Sequence, residues 1–195
     1  MNQCELDPGD STIQSVLEIR DKYYKENGKN VFFKNKQKAE CAQEIQQSIL
    51  LEDLMRKTFW IVPNTNRVYF DYTVFKLYAI PENYGRIVDE ILKLYSKSID
   101  TYGTFEVHMN IDTFTVSAAQ RYTDVIRLFC QESMVREERF SVLLDRFYLY
   151  NIPNMIDHIT SVLMPFLPPE VQSKLVLFKR SAESTDMLRS ILSGN

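Results

Sequence analysis

The sequence predicts an α/β protein built on a mixed, partly parallel β-sheet with flanking helices. Three observations support this prediction. From Phe59 onward, short apolar or alternating segments typical of strands are separated by longer segments with helical periodicity. Strands that are joined through helices pair in parallel, so at least part of the sheet is parallel. A chain of 195 residues, 45% of them hydrophobic, can also bury a substantial core.

Residues 1–58 are predicted to form a helical, locally basic extension that precedes a domain spanning residues 59–195. Ser11 is a suitable N-terminal cap for a first helix, and Gly28 is a typical C-terminal stop. Apolar residues at helical spacing predict a second helix over residues 36–57.

The extension carries a cluster of lysines with few acidic neighbours, Lys29, Lys34, Lys36 and Lys38. One interpretation is a solvent-exposed face that joins two helices. The other is a contact with an anionic membrane surface, where each lysine contributes about 1 kcal/mol. The sequence leaves both interpretations open. The net charge of −3 is unsuited to a broad nucleic-acid interface.

The first strands form a predicted β-hairpin. Residues 59–62 and 67–71 are strand-like, and the intervening residues 63–66 have the composition of a turn. Pro81 is expected in the first turn of the following helix, because its fixed φ and missing N–H suit that position. Alternation then predicts a strand over residues 105–112.

The alternation of helix and strand continues to the end of the chain. Ser117 and Gln120 have the spacing of a capping box, in which two side chains cap the first turn of a helix. Further elements are predicted as a strand over residues 147–150, a helix over 154–167, a strand over 175–178 and a helix over 183–192.

Composition excludes several classes of site. Neither GxGxxG nor GxxxxGK[ST] occurs, so the two common Gly-rich nucleotide loops are absent. Cys4, Cys41 and Cys130 never form a CxxC pair, which argues against a disulfide framework and a zinc knuckle and fits a reducing compartment. No basic and apolar leader opens the chain, and no apolar run approaches the roughly 20 residues of a membrane span. We therefore expect a cytosolic protein without a metal or another cofactor.

No catalytic constellation is recognisable in the sequence. His108 lies inside a predicted strand, where a core or edge histidine is favoured over a catalyst. His158 is expected on the solvent side of a helix. Asp112 follows a strand, a position where α/β proteins often place functional acids, but an Asp there also commonly caps the next turn. We expect a protein that is not an enzyme.

The helix predicted after Asn154 is apolar around much of its circumference, and Pro165 interrupts it. One stripe consists of Met155, Ile159, Val162 and Phe166, and it is broadened by Ile156 and Leu163. This pattern suits a helix buried against the sheet. It also suits a movable wall over an apolar pocket, and the spacing does not decide between the two.

The order of strand, Asn-x-Pro, helix, Pro-Phe-Leu, Lys and strand resembles the CRAL-TRIO domain family. The pattern is carried by residues 147–150, Asn151, Pro153, Pro165-Phe166-Leu167, Lys174 and residues 175–178. Upstream, residues 107–117 are similar to the family's strand that ends in Asp and leads through a turn into a helix. The resemblance covers about residues 59–179.

The resemblance implies an apolar cavity that is enclosed by the sheet and helices and closed by a mobile helix. The positions similar to the pocket wall and gate are Met155, Ile156, Ile159, Val162, Leu163 and Phe166. Lys174 is similar to the lysine that meets a phosphoinositide headgroup in some members, and Glu170 is its alternative partner within the chain. Val142 and Leu143 stand where the family has a Glu-Arg pair linked to that headgroup. Selectivity for phosphatidylinositol is therefore not implied.

From the resemblance we expect non-enzymatic binding of a hydrophobic ligand, above all a phospholipid, with transfer between membranes. The expected location is the cytoplasm and the membrane periphery, with a transient membrane contact. The alternative is a protein-interaction scaffold that uses a CRAL-TRIO-like fold with a reduced pocket and binds a protein partner. Neither hypothesis involves nucleic acid.

Overall fold

The computed structural model describes residues 11–30, 32–136, 139–153, 161 and 163–192. The N-terminal part forms helices α1 (Ser11–Asn27), α2 (Lys34–Ser48) and α3 (Leu51–Thr58).

The prediction of one helix over residues 36–57 is wrong, because α2 and α3 are separate helices. Ile49 and Leu50 between them have extended backbone, with ψ angles of 132° and 137°. This break redirects the chain, so that Ile45 and Leu54, both fully buried, pack into one core from two helices.

A five-stranded sheet follows these helices, and its strands lie in chain order. The strands are β1 (Phe59–Ile61), β2 (Arg67–Asp71), β3 (Phe105–Asn110), β4 (Leu144–Ile152) and β5 (Leu175–Lys179). β1 and β2 form the predicted antiparallel hairpin, whereas β2 to β5 pair in parallel. The predicted mixed, partly parallel sheet is therefore confirmed.

Helices connect the parallel strands and follow the last one. They are α4 (Tyr72–Tyr78), α5 (Tyr84–Tyr102), α6 (Val116–Arg121), α7 (Thr123–Val135), α8 (Phe140–Leu143), α9 (Pro169–Gln172) and α10 (Ala182–Leu192). Short 3-10 turns, Pro81–Asn83 and Met164–Phe166, precede α5 and α9. Pro81 occupies a first-turn position as predicted, in a turn that is 3-10 and leads directly into α5.

The two faces of the sheet bury different partners. On one face, Phe147 and Leu149 of β4 pack against the main core, which includes side chains from the elements that connect the parallel strands. On the other face, Tyr148 and Tyr150 pack with Leu188 of α10. This arrangement follows from right-handed crossovers between strands that lie in chain order, because each crossover then covers the same face.

The helical extension and the sheet share the main core. Val16, Ile45 and Leu54 of the extension are fully buried and cluster with residues of the strands and of α5. The Tyr78 hydroxyl of α4 donates a hydrogen bond of 2.9 Å to Thr58 Oγ1 of α3. The extension is thus packed directly on the sheet unit, and the proposed division at residue 59 stays a prediction.

The N-terminus of α6 is capped by Thr115 rather than by the predicted Ser117. Thr115 has extended backbone, and its Oγ1 accepts a hydrogen bond of 3.2 Å from the Ala118 N–H. Ser117 lies inside the helix, where its hydroxyl is 3.1 Å from Thr115 Oγ1. The predicted capping box is therefore wrong, and the cap lies two residues earlier.

We expect Thr115→Ala to lower the free energy of unfolding by about 1 kcal/mol, because it removes an N-terminal cap. Ser117→Ala, the matched control on the same turn, should lower it by less than about half that amount. Urea denaturation followed by far-UV circular dichroism measures both effects. Equal losses in the two variants would contradict the assignment of the cap.

Candidate functional site

An apolar patch lies on the main-core face of the sheet, over its last three strands. Strand register places Leu175 beside Phe147 and Leu177 beside Leu149, which itself pairs with Met109. Leu177 is 46% exposed and the other four side chains are only half-buried. We call these five residues the apolar sheet surface. Their exposure marks the part of this face that the described helices leave incompletely covered.

Described residues between β4 and β5 pack on the same face. Leu163 and Val171 contact the main core. Phe166 is half-buried, and the guanidinium carbon of Arg127 on α7 lies 5.5 Å from the centre of its ring. The structure thus places two of the six predicted pocket residues, Leu163 and Phe166. The other four, Met155, Ile156, Ile159 and Val162, lie outside the described residues, as does His158.

Lys174 directs its ammonium group at the backbone of α8 and the start of β4. Its Nζ donates to the carbonyl oxygens of Ser141 and Val142 at 2.9 Å, and also to that of Leu144. These bonds use all three N–H donors of an ammonium group. Among the described contacts, none joins Lys174 to Glu170, so main-chain carbonyls take the place of the expected carboxylate.

A buried polar network joins the carboxyl ends of β2, β3 and β4. The Asp71 carboxylate accepts hydrogen bonds from the Tyr69 hydroxyl at 2.9 Å, the Thr73 N–H at 2.7 Å and Asn110 Nδ2 at 3.3 Å. Asn110 Oδ1 accepts in turn from Asn151 Nδ2 at 3.0 Å. The network ties three neighbouring strands together at the edge where open α/β sheets commonly bind ligands.

Sequence reasoning missed this network. Its signal is the recurrence of Asp71, Asn110 and Asn151 at the ends of neighbouring strands. Hydrophobic periodicity does not reveal such residues, because a polar residue at the end of a strand has the same pattern as the first residue of a loop.

Asp112 lies just beyond β3 and is buried. Its Oδ1 makes no hydrogen bond within the described part of the chain, but lies 3.5 Å from Nη1 of Arg180. The pair is therefore electrostatic and lacks hydrogen-bond geometry. The next residue, Thr113, has a φ of +64°, which is unusual for a β-branched residue. The Asp112 side chain thus faces a cation, and the described contacts do not show it as a turn cap.

His108 is a core residue of β3, as the favoured interpretation predicts. Its Nδ1 lies 3.0 Å from the Tyr150 hydroxyl and its Nε2 lies 3.2 Å from Glu106 Oε2, while its ring stacks on Tyr148. Burial lowers the pKa of His108 below its usual value, although the Glu106 carboxylate acts in the opposite direction. His108 is accordingly a neutral, hydrogen-bonded component of the sheet.

The turn between α1 and α2 exposes two adjacent aromatic residues. Phe32 is 93% exposed and Phe33 is 66% exposed, and we call this pair the aromatic tip. Of the lysines predicted at a membrane surface, Lys29, Lys34 and Lys36 are exposed and Lys38 is half-buried. The lysine pattern alone did not single out the phenylalanines, which give this turn an amphipathic character.

A surface cavity of about 280 Å³ lies in the helical extension and differs from the expected lipid pocket. It is lined by Ser11, Ser15 and Asp53 among others, so its wall is largely polar. No helix in the described ranges is long and apolar enough to cross a bilayer. Over the same ranges, no group of three His, Cys, Asp or Glu side chains is placed to hold a metal ion.

Comparison with known proteins gives a family match for the C-terminal half of the chain. A model of the CRAL/TRIO domain family matches residues 103–193. Residues 103–193 are thus similar to a CRAL/TRIO domain. The match confirms the family that the sequence pattern predicted, and it spans the elements from β3 to α10, including the apolar sheet surface and Lys174.

The fold is also found in a solved structure. The crystal structure of Sfh5 aligns with 87% of this chain at a TM-score of 0.51 and 13% sequence identity. The alignment covers 61% of the Sfh5 chain, so this chain spans less than two thirds of that structure. At this identity the likeness establishes a shared fold. A search of curated proteins gave no significant match.

Proposed function

We propose that the CRAL/TRIO domain binds a phospholipid and exchanges it with membranes, without catalysing a reaction. Domains of this family bind hydrophobic small molecules such as lipids. The apolar sheet surface is the observation that carries the proposal for this chain. Five neighbouring apolar side chains are incompletely covered on a face that is otherwise the protein core. Contiguous apolar exposure of this kind is typical of a ligand site.

The geometry of this surface suits an acyl chain. Met109, Leu149 and Leu177 form a row across three adjacent strands. Strands lie about 4.8 Å apart, so the row is roughly 10 Å long. Leu163 packs against the main core and Phe166 lies against Arg127 of α7, which supports a role for these two side chains beside a bound lipid.

The energetics favour exchange over capture from water. Burial of a sixteen-carbon chain from water releases roughly 12 kcal/mol, at about 0.8 kcal/mol per methylene. A bilayer already provides this burial, so the site needs only to match the bilayer interior. Opening and closing the site then requires a small change in free energy.

Exchange requires contact with a membrane, and the aromatic tip provides a suitable contact. Phe32 and Phe33 project from the turn, and the exposed Lys29 and Lys34 flank them. Aromatic side chains insert between lipid headgroups, while lysines are attracted to anionic lipids. The aromatic tip therefore supports a transient location at the membrane periphery.

Native mass spectrometry of the full chain, combined with transfer of fluorescent phosphatidylcholine between vesicles, tests the proposal. We expect co-purified phospholipid and measurable transfer. Leu177→Arg places a charge on the apolar sheet surface and should reduce the transfer rate at least tenfold. Met134→Arg is the matched control, since Met134 is 64% exposed at the end of α7 and lies outside this surface.

Circular dichroism of both variants checks that the fold is retained. Absence of lipid from the purified chain together with absence of transfer would contradict the proposal and favour the scaffold hypothesis. Equal losses of transfer in the two variants would show that the ligand does not occupy the apolar sheet surface.

A further inference from the structure

A group of basic side chains lies between the helical extension and the sheet unit, and none of them belongs to the apolar sheet surface. Four basic side chains of three helices interact there, and we call them the basic cluster. They are Lys34 and Lys38 of α2, Lys76 of α4 and Arg121 of α6.

Specific contacts hold two members of the basic cluster in place. Arg121 Nε donates to Asn35 Oδ1 at 3.0 Å, which fixes the guanidinium group against the first turn of α2. Its guanidinium carbon lies 5.6 Å from the centre of the Tyr122 ring. Lys76 Nζ lies 5.8 Å from the centre of the Tyr72 ring. The two rings are 6.0 Å apart, so Arg121 and Lys76 each lie beside one ring of the same aromatic pair.

Lys76 is anchored further at the carboxyl edge of the sheet. Its Nζ donates to Thr113 Oγ1 at 2.6 Å. Asp71 and Asp112 attract it electrostatically, but both carboxylates have other partners. Asp71 belongs to the polar network and Asp112 faces Arg180. The two acids therefore compensate Lys76 only in part.

Lys38 is a member of the basic cluster that is half-buried and lacks a compensating partner among the described residues. Its ammonium group makes no hydrogen bond or ion pair with any of them. The pKa of Lys38 is lowered to about 8. The main cause is loss of hydration on burial, and repulsion from Arg121, Lys34 and Lys76 adds to it. The carboxylate of Glu40, two residues further along α2, accepts from the Tyr23 hydroxyl at 2.8 Å and lies 3.9 Å from Lys36 Nζ. Within the described part of the chain, Lys38 is thus a partly desolvated cation among other cations and forms no ion pair with an acid.

This arrangement destabilises the free protein and favours a bound anion. A partly buried charge without a partner costs free energy, and an oxyanion among the basic side chains reverses that cost. A phosphate monoester suits the position, because it carries close to two negative charges and three terminal oxygens that accept from guanidinium and ammonium groups.

We propose that Lys38, Lys76 and Arg121 form a binding site for a phosphate monoester, carried by a lipid headgroup or by a small soluble molecule. The bound phosphate would join α2 of the extension to α4 and α6 of the sheet unit. This site is separate from the apolar sheet surface and from Lys174. It does not depend on the presence of a lipid in the domain.

Isothermal titration of the full chain with inositol 1-phosphate, at constant ionic strength, tests the site. We expect binding, and about a tenfold weaker affinity for Lys38→Gln and for Lys76→Gln. Lys97→Gln, which removes an exposed lysine of α5, is the matched control and should bind like the parent protein. Similar affinities for the Lys38→Gln and Lys97→Gln variants would overturn the proposal, as would failure of the parent protein to bind any phosphate monoester probe.

Thermal unfolding without the ligand provides a second readout. Lys38→Gln should raise Tm, because it removes the uncompensated cation, and inositol 1-phosphate should raise Tm of the parent protein but much less that of the variant. A residue with a purely structural role would lower Tm when replaced, and this result would overturn the proposal.

Vesicle sedimentation distinguishes the two sources of the phosphate. Phosphatidylcholine vesicles containing phosphatidylinositol 4-phosphate are compared with vesicles of equal charge that contain phosphatidylserine. A loss of binding by Lys38→Gln only on the former identifies a lipid headgroup, whereas unchanged vesicle binding with weakened inositol 1-phosphate binding identifies a soluble ligand. Loss of phospholipid transfer in Leu177→Arg is measured separately, so failure of either proposal leaves the other testable.

Discussion

Asp71→Ala is expected to lower the free energy of unfolding by about 3 kcal/mol. The substitution removes the N-terminal cap of α4, since the Asp71 carboxylate accepts from both the N–H and the hydroxyl of Thr73. It also leaves the buried amide of Asn110 without this acceptor, and hydrogen bonds to a charged group are the stronger ones. Urea denaturation with a fluorescence readout measures the loss.

Two further substitutions make this measurement specific. Asp71→Asn retains an acceptor for Thr73 and should lose about half as much stability as alanine. Asp53→Ala removes a carboxylate that pairs with Arg56 at 3.0 Å on the surface of α3. That change should cost less than about 0.5 kcal/mol. If Asp71→Ala and Asp53→Ala were equally mild, the polar network would not hold the ends of the three strands together.

Lys174→Met is expected to lower the free energy of unfolding by about 2 kcal/mol. Its ammonium group satisfies carbonyls of Ser141, Val142 and Leu144, where the short helix α8 ends and β4 begins. Methionine fills similar space but donates no hydrogen bond, so these carbonyls lose a charged partner. Lys179→Met is the matched control, because Lys179 is exposed at the end of β5, the strand that directly follows Lys174.

The same variant tests the headgroup role that the family resemblance implies for Lys174. A structural role predicts lower stability and an unchanged preference among phospholipids. A headgroup role predicts nearly unchanged stability and a weaker affinity for phosphoinositides. Val142 is relevant here, because it stands where the family has a charged residue and it contributes a carbonyl to Lys174.

The hairpin and the alternation of strands and helices could be predicted because local patterns encode them. β4 is longer than its predicted core of residues 147–150, since Asp145 and Asn151 break the apolar pattern although they lie within the strand. The separation of α2 from α3 was missed because Ile49 and Leu50 fit a helical stripe, while their extended backbone is set by packing of both helices on one core.

The candidate sites differ in what a sequence can reveal about them. The packing of Leu163 and Phe166 beside the core could be anticipated from their apolar helical spacing, whereas their role in a pocket stays a prediction. Leu177 could not, since an apolar strand residue has the same pattern whether a helix covers it or not. The basic cluster was also hidden. Lys76 and Arg121 are isolated along the sequence, and only the packing of α2, α4 and α6 brings them together.

The chain order of the strands has a consequence for biosynthesis. Each strand from β2 to β5 pairs with the strand that precedes it in the chain. A ribosome releases the chain from the N-terminus, so every emerging strand finds its partner already synthesised. The sheet can therefore grow by one edge strand at a time, because each new strand pairs with one that has already been synthesised. Val16, Ile45 and Leu54 are synthesised before the first strands and are available to pack against them.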